Sequence, residues 1–217
     1  SSGGIANRVY EIATPYTTAE LFDIKFAQSA DVMYITHPSH EVEKLSRTGH
    51  TAWTLTNVDF GNGPFMDHNV ETTTANPSHK TVGSTTTVTF SAVTGINNGA
   101  GFLSTDVGRL VHIKDGHFKI TSITSTTIVV GTVIIDLGIS SSTTTDFALG
   151  SFSDTSGFPS CVTFFEQRLV FAGTIAQPQT IFFSKSGDYE NMDDGYHETI
   201  ADDDAIVYTI ASNQVNA

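Results

Sequence analysis

The stretch Leu45-Ser46-Arg47-Thr48-Gly49 near the start of the chain has a near copy, Phe183-Ser184-Lys185-Ser186-Gly187, near its end. Each follows a Phe-x-Gln at nearly the same interval: Phe26-Ala27-Gln28 before the first, Phe165-Glu166-Gln167 before the second. Both copies read as one β unit. Phe-x-Gln is expected to open a strand, Val32 to Ile35 in one copy and Leu169 to Ala172 in the other. A connection carrying Pro38 or Pro178 follows. A second strand then runs into Ser46-Arg47-Thr48-Gly49 or Ser184-Lys185-Ser186-Gly187, and an aromatic, Trp53 or Tyr189, comes just after. Repeated β units of this kind occur in propeller blades, where no unit buries its face alone. Two blades do not close a propeller, so the chain is expected to be part of a longer protein.

Between the copies the style changes. From Thr81 to Ser160, Ser and Thr supply 28 of 80 residues, against five acids and three bases. Threonine is β-branched and half polar, which suits a pleated surface that is wet on one side. Val88, Phe90 and Ala92 alternate with Thr87, Thr89 and Ser91, a strand period. Lys114-Asp115-Gly116-His117 predicts a hairpin with Asp-Gly at a type I′ turn, joining strands Leu110 to Ile113 and Phe118 to Ile123. Thr127 to Val130 and Thr132 to Ile135 predict two more. Short strands with frequent turns point to a small antiparallel barrel or sandwich.

The organisation expected is therefore all-β. Residues 1–72 and 158–217 form a discontinuous domain of propeller-blade-like hairpin units, and residues 73–157 form an inserted barrel. In the outer zone, Thr17-Thr18-Ala19-Glu20 has the spacing of a capping box and predicts one helical turn. Further strands are expected at Glu43 to Ser46, around Trp53 to Asp59, Val162 to Phe165, Thr180 to Ser184 and Ala205 to Ile210.

The formal charge is −13. That argues against a nucleic-acid backbone as the main partner, because phosphate binding needs a basic stripe. The longest apolar runs fall far short of the roughly 18–20 residues of a membrane helix. Cys161 is the only cysteine, so there is no internal disulfide and no cysteine zinc cluster. Its apolar surroundings predict a buried small hydrophobe.

Other residue groups were weighed for chemistry. His37 and His40 are the closest pair among eight histidines. Pro38 between them gives a turned or extended backbone, so the rings need not converge, and no third ligand stands at a known spacing. The acids Asp188, Glu190, Asp193, Asp194, Glu198 and Asp202 to Asp204 lack the loop pattern of a calcium site and predict a solvated loop. No nucleophile stands with an evident base, and no glycine loop cradles a phosphate. Neither a catalytic residue nor a metal or other cofactor is expected. Trp53, Tyr189 and Tyr196 are expected to pack at unit corners rather than stack on sugars. Arg47 and Lys185, at matched places in the two copies, are each expected to make a structural hydrogen bond or ion pair with Asp59 or Asp188.

Two long runs carry a resemblance: YEIATPYTTAELFDIKFAQSADVMYITHPSHEVEKLSRTGHTAWTLTNVDF (Tyr10 to Phe60) and CVTFFEQRLVFAGTIAQPQTIFFSKSGDYENM (Cys161 to Met192). They resemble a family of tailed-bacteriophage and prophage structural proteins, similar to the nozzle or tail tubular proteins of short-tailed phages. FLSTDVGRLVHI (Phe102 to Ile113) resembles the small β-domains named after the first catalytic cysteine half-domain of ubiquitin-activating enzymes. That name marks a barrel shape and implies no ubiquitin chemistry here, since Cys161 lies outside that zone. The resemblance implies a virion component of the tail nozzle or tube, working by packing in a homo-oligomeric ring with other phage tail proteins. Phage DNA would pass without being bound, and no membrane is involved. The alternative is a carbohydrate-binding or host-receptor-binding module of a phage tail.

Overall fold

A computed structural model describes residues 8–196 and 199–210. The described residues form three antiparallel sheets and no α-helix. Two are four-stranded meanders in chain order. The first is β1 (Lys25–Ser29), β2 (Val32–His37), β3 (His40–Gly49) and β4 (Ala52–Asn57). The other uses the strands that follow the middle zone: β11 (Cys161–Phe165), β12 (Arg168–Ala172), β13 (Thr180–Phe183) and β14 (Ile206–Thr209).

The middle sheet has six strands: β5 (Ala75–Pro77), β6 (Thr85–Phe90), β7 (Leu110–Ile113), β8 (Gly116–Ser125), β9 (Ile128–Val133) and β10 (Phe147–Leu149), in the order β10-β7-β8-β9-β6-β5. It curls into a half-barrel. Two register shifts between β8 and β9 contribute to this, because a bulge bends its strand and increases the local twist. The curl brings the far edge home: Ala75 in β5 bridges Thr144, just ahead of β10. Along β6, Thr86, Val88 and Phe90 point inward while Thr85, Thr87 and Thr89 face water. Phe90, Phe102, Phe118 and Phe147 meet in the half-barrel core with Ile113, Ile120 and Leu137. Where two strands were expected between Thr127 and Ile135, there is one, Ile128–Val133.

The predicted hairpin at residues 114–117 forms, but its turn lies one residue earlier. Ile113 pairs with Gly116, so Lys114 and Asp115 make the loop, and only Lys114 has positive φ. That is not a type I′ turn. Gly116 serves another purpose: a Cβ there would lie 2.4 Å from the carbonyl oxygens of Ile135 and Asp136.

The two meanders share a second core. Tyr34, Val42 and Val58 come from or just after the first, and Leu169, Phe171 and Phe182 from the second; Met192 completes it. The chain leaves this core at Phe60 and returns at Phe152, whose rings meet at 5.6 Å between centroids. Between these points the outgoing and incoming segments run side by side. Met66 N–H donates to the Leu149 carbonyl, Ser151 N–H to Pro64, and Phe65 bridges Gly150.

One buried ion pair locks that junction. Arg109 and Asp106 are 1% and 0% exposed. The guanidinium donates Nη1–H to Asp106 Oδ1 at 2.8 Å and to Asn97 Oδ1 at 2.7 Å, and Nε–H to the Gly150 carbonyl at 2.7 Å. Its Nη2 reaches Met66 Sδ at 3.4 Å. Asp106 Oδ2 in turn accepts from Asn97 Nδ2 and Leu103 N–H. Buried charges persist where the pair and its remaining hydrogen-bond valences are satisfied, as here.

Cys161 opens β11 half-buried rather than buried. Thr17 and Glu20 make the capping contact, but it closes successive turns over residues 18–23 instead of a helix.

The Arg109 network yields a direct expectation. Arg109→Met leaves Asp106 buried and uncompensated and should cost about 3–5 kcal/mol in urea unfolding. Adding Asp106→Leu should restore part of that loss; a single variant as stable as the parent would refute the role given to the pair.

Candidate functional site

The motif residues sit at the ends and edges of the meanders. The two Phe-x-Gln copies do not occupy equivalent places, which corrects the expected register. Phe26 and Gln28 lie within β1, the strand before the first hairpin turn. Phe165 ends β11, and Glu166-Gln167 are themselves the turn, both with positive φ. Neither copy opens the strand assigned to it. The meanders are alike in topology while the sequence echo is displaced along them.

The charged motif residues find carboxylates, but not those expected. Arg47 pairs with Asp31 across the first hairpin at 3.2 Å, and its guanidinium lies 5.8 Å from the Trp53 ring centroid. Asp59 instead faces Lys119 of β8 at 3.2 Å, linking the first meander to the half-barrel. Lys185 pairs with Asp204 at 2.7 Å and meets Asp188 only through the backbone. Ser46 lies opposite Val32 in the ladder, whereas Ser184 is fully buried and its Oγ accepts the Leu169 N–H. Gly187 needs its φ of +77°, whereas Gly49 takes no such conformation.

The acidic segment after Lys185 is solvated only in part: Asp188, Asp202 and Asp203 are exposed, while Glu190 is half-buried and Asp204 buried. Glu190 receives Lys44 Nζ at 2.6 Å and the Tyr34 hydroxyl at 2.9 Å, which ties the loop to the first meander. Arg168 is buried and donates to the carbonyls of Ser184, Asp202 and Asp204. Glu198 lies outside the described residues. Tyr189 packs edge-on to Phe164 at 5.0 Å, and Tyr196 stacks on His68 at 3.9 Å. His68 in turn makes a 2.8 Å contact from Nδ1 to Asp146.

The edges form the broadest candidate surface. Among the described residues β1, β4, β11 and β14 each pair on one side only. β1 lies against β11. Phe26 on β1 is 64% exposed and Phe165 on β11 is 56% exposed. β14 carries Ile206 and Tyr208 at 46% and 62% exposure and holds no charged residue. Edge strands are commonly protected by lysine, proline or a covering element. β14 has none of these within it.

A smaller grouping, Glu20, His37 and His40, was missed by sequence reasoning. The Pro38-Ser39 turn sets His37 directly opposite His40, and the ring centroids lie 4.9 Å apart. The rings, whose convergence the sequence left open, do converge. Glu20 Oε1 lies 3.1 Å from His40 Nε2. The Thr17 amide and hydroxyl, with His40, bring the Glu20 carboxyl down to about 2. In the sequence Glu20 carried only a capping-box signal, and nothing there placed it beside a hairpin beginning 17 residues later.

Compared with models of known protein families and with curated protein sequences, the chain matches none.

The Lys185–Asp204 pair gives a pH expectation. The Lys185 ammonium, then the Ala201 amide, hold the Asp204 carboxyl below its ordinary value of 3.8. Folding lowers this pKa, so the stability gained is present above about pH 4 and is lost as pH falls through the folded value. Urea midpoints of Asp204→Asn should lie below the parent's at pH 6 and converge with them as pH falls below the ordinary carboxylate value of 3.8. A constant gap across that range would show that Asp204 acts through something other than its charge.

Proposed function

We propose that the chain is a structural component of a bacteriophage or prophage virion, in the tail nozzle or tail tube. It works by packing against other copies and other tail proteins, without catalysis. The observation that carries this reading is the pair of four-stranded meanders on one core, whose outer strands β1, β11 and β14 pair on one side among the described residues and expose Phe26, Phe165, Ile206 and Tyr208. We read these meanders as propeller-blade-like units. An uncharged strand paired on one side only, such as β14, is a template for a strand from a neighbour. The resemblance of residues 10–60 and 161–192 to phage tail proteins points the same way.

The charge fits that role. At −13 the surface repels phosphate, so DNA would travel past such a ring without adhering. No helix of the described residues is long and apolar enough to cross a membrane. The alternative, a carbohydrate-binding or host-receptor-binding module, would call for a roomy pocket with aromatic walls. The cleft with aromatic walls, lined by Phe60, Phe152 and Phe158, measures about 170 Å³, and a roomier one of about 410 Å³ beside Asn69, Asn97 and Gln177 has Phe147 as its one aromatic lining residue. Ligand pockets commonly run about 300–1,000 Å³.

The test is negative-stain imaging with light scattering on the protein. Closed rings of one size are expected, and Tyr208→Lys should shift them toward monomers while leaving the circular-dichroism spectrum unchanged. A protein that stays monomeric at every concentration would overturn the reading.

A further inference from the structure

Glu20, His37 and His40 each offer one ligating atom, and the three atoms lie within 4.8 Å of one another. Among the described residues this is the one such group of His, Cys, Asp or Glu. The sequence builds it from two places. His37 ends β2 and His40 begins β3, so the two-residue turn fixes both rings on one side of the hairpin. Glu20 arrives from the turns ahead of β1. Thr17 holds its Oε2 through an amide at 2.8 Å and a hydroxyl at 2.7 Å, which leaves Oε1 facing His40.

A second, independent observation points to a ligand. His37 is 4% exposed, and its Nε2 has no hydrogen-bond partner among the described residues. Its Nδ1 accepts the Ser39 N–H at 3.1 Å. In the neutral ring that puts the proton on Nε2, buried with nothing to receive it. Buried polar atoms are seldom left so, and each exception calls for an explanation.

We propose that Glu20, His37 and His40 bind a divalent transition-metal ion of the zinc class. Two imidazoles and one carboxylate suit such ions better than calcium or magnesium. With bonds of about 2.0–2.2 Å, tetrahedral ligand atoms stand roughly 3.3–3.5 Å apart. Glu20 Oε1 and His40 Nε2, 3.1 Å apart, are already near that spacing, and one ring nitrogen of His37 lies within 4.8 Å of both partners' ligand atoms, so a small rotation of the His37 ring completes the set. The ion binds Nε2 of His37, and the ring proton moves to Nδ1. Ser39 is exposed, so its amide turns from the ring to water. Three protein ligands leave a fourth position for water. Tyr16, edge-on to His40 at 5.3 Å between centroids, walls one side. The bound ion clamps the segment ahead of β1 onto the β2–β3 hairpin.

The test uses the whole chain after chelator treatment. Zn²⁺ is titrated by calorimetry and Co²⁺ by visible absorption, and imidazole ¹⁵N NMR reads the His37 tautomer. One ion per chain is expected, with a rise in melting temperature and a move of the His37 proton from Nε2 to Nδ1. His40→Ala and Glu20→Gln, both at partly exposed positions, should each weaken binding by at least roughly tenfold while the chain stays folded. His50→Ala, a histidine outside the group, should bind as the parent does. The proposal fails if no saturable binding occurs below about 1 mM Zn²⁺. It fails equally if His40→Ala and Glu20→Gln both bind like the parent, or if the His37 tautomer does not change.

Discussion

The buried pair of Arg109 and Asp106 is the constraint on which the arrangement of the three sheets depends. A chain that leaves one core to build another must bring its outgoing and incoming segments together. Here they run as neighbours from Pro64 to Met66 and from Leu149 to Ser151. Arg109 lies on the half-barrel side and reaches both: the Gly150 carbonyl on the incoming segment and the Met66 sulfur on the outgoing one. An apolar side chain could fill that volume but could not satisfy the Gly150 carbonyl. The arginine is tolerated inside because Asp106 and Asn97 complete its hydrogen bonds.

A similar device recurs in the second meander. Arg168 begins β12 and gathers three carbonyls from Ser184 and the acidic segment. Lys185 and Lys44 hold two of that segment's carboxylates, so a run rich in acid becomes part of a wall instead of a free loop. Met192 can then enter the core between the meanders. Among the described residues the outer strands remain as the surfaces with unspent hydrogen-bonding capacity, and a packing role would draw on them.

Much of the β content was legible in the sequence because period-two alternation and turn residues are local signals. Leu110–Ile113, Thr85–Phe90 and Arg168–Ala172 are strands for those reasons. What failed was register. The Asp-Gly turn moved by one residue because Gly116 is needed where the Ile135 and Asp136 carbonyls crowd it, a contact between residues some 20 apart. The Phe-x-Gln echo falls inside a strand in one copy and across a turn in the other, so a sequence repeat proved a poor guide to position. Strand β1 went unread because its residues, Lys25 to Ser29, are exposed or half-buried and carry little alternation. The partners of Arg47 and Lys185 were also beyond local reading. Asp31 and Asp204 are brought to them by pairing and by loop closure. The Glu20–His37–His40 group illustrates the same limit, since the hairpin sets two members and a separate turn delivers the third.

The most direct measurement of the central claim is hydrogen exchange at the Arg109 Nε–H, followed by NMR in the native chain. That proton donates to Gly150 inside the junction. It should exchange as slowly as the amides of Val111 and Phe118 in the half-barrel core, because only opening of the junction exposes it. Exchange at the rate of a solvent-exposed arginine would contradict the account, and the side-by-side segments would then need another explanation for their pairing.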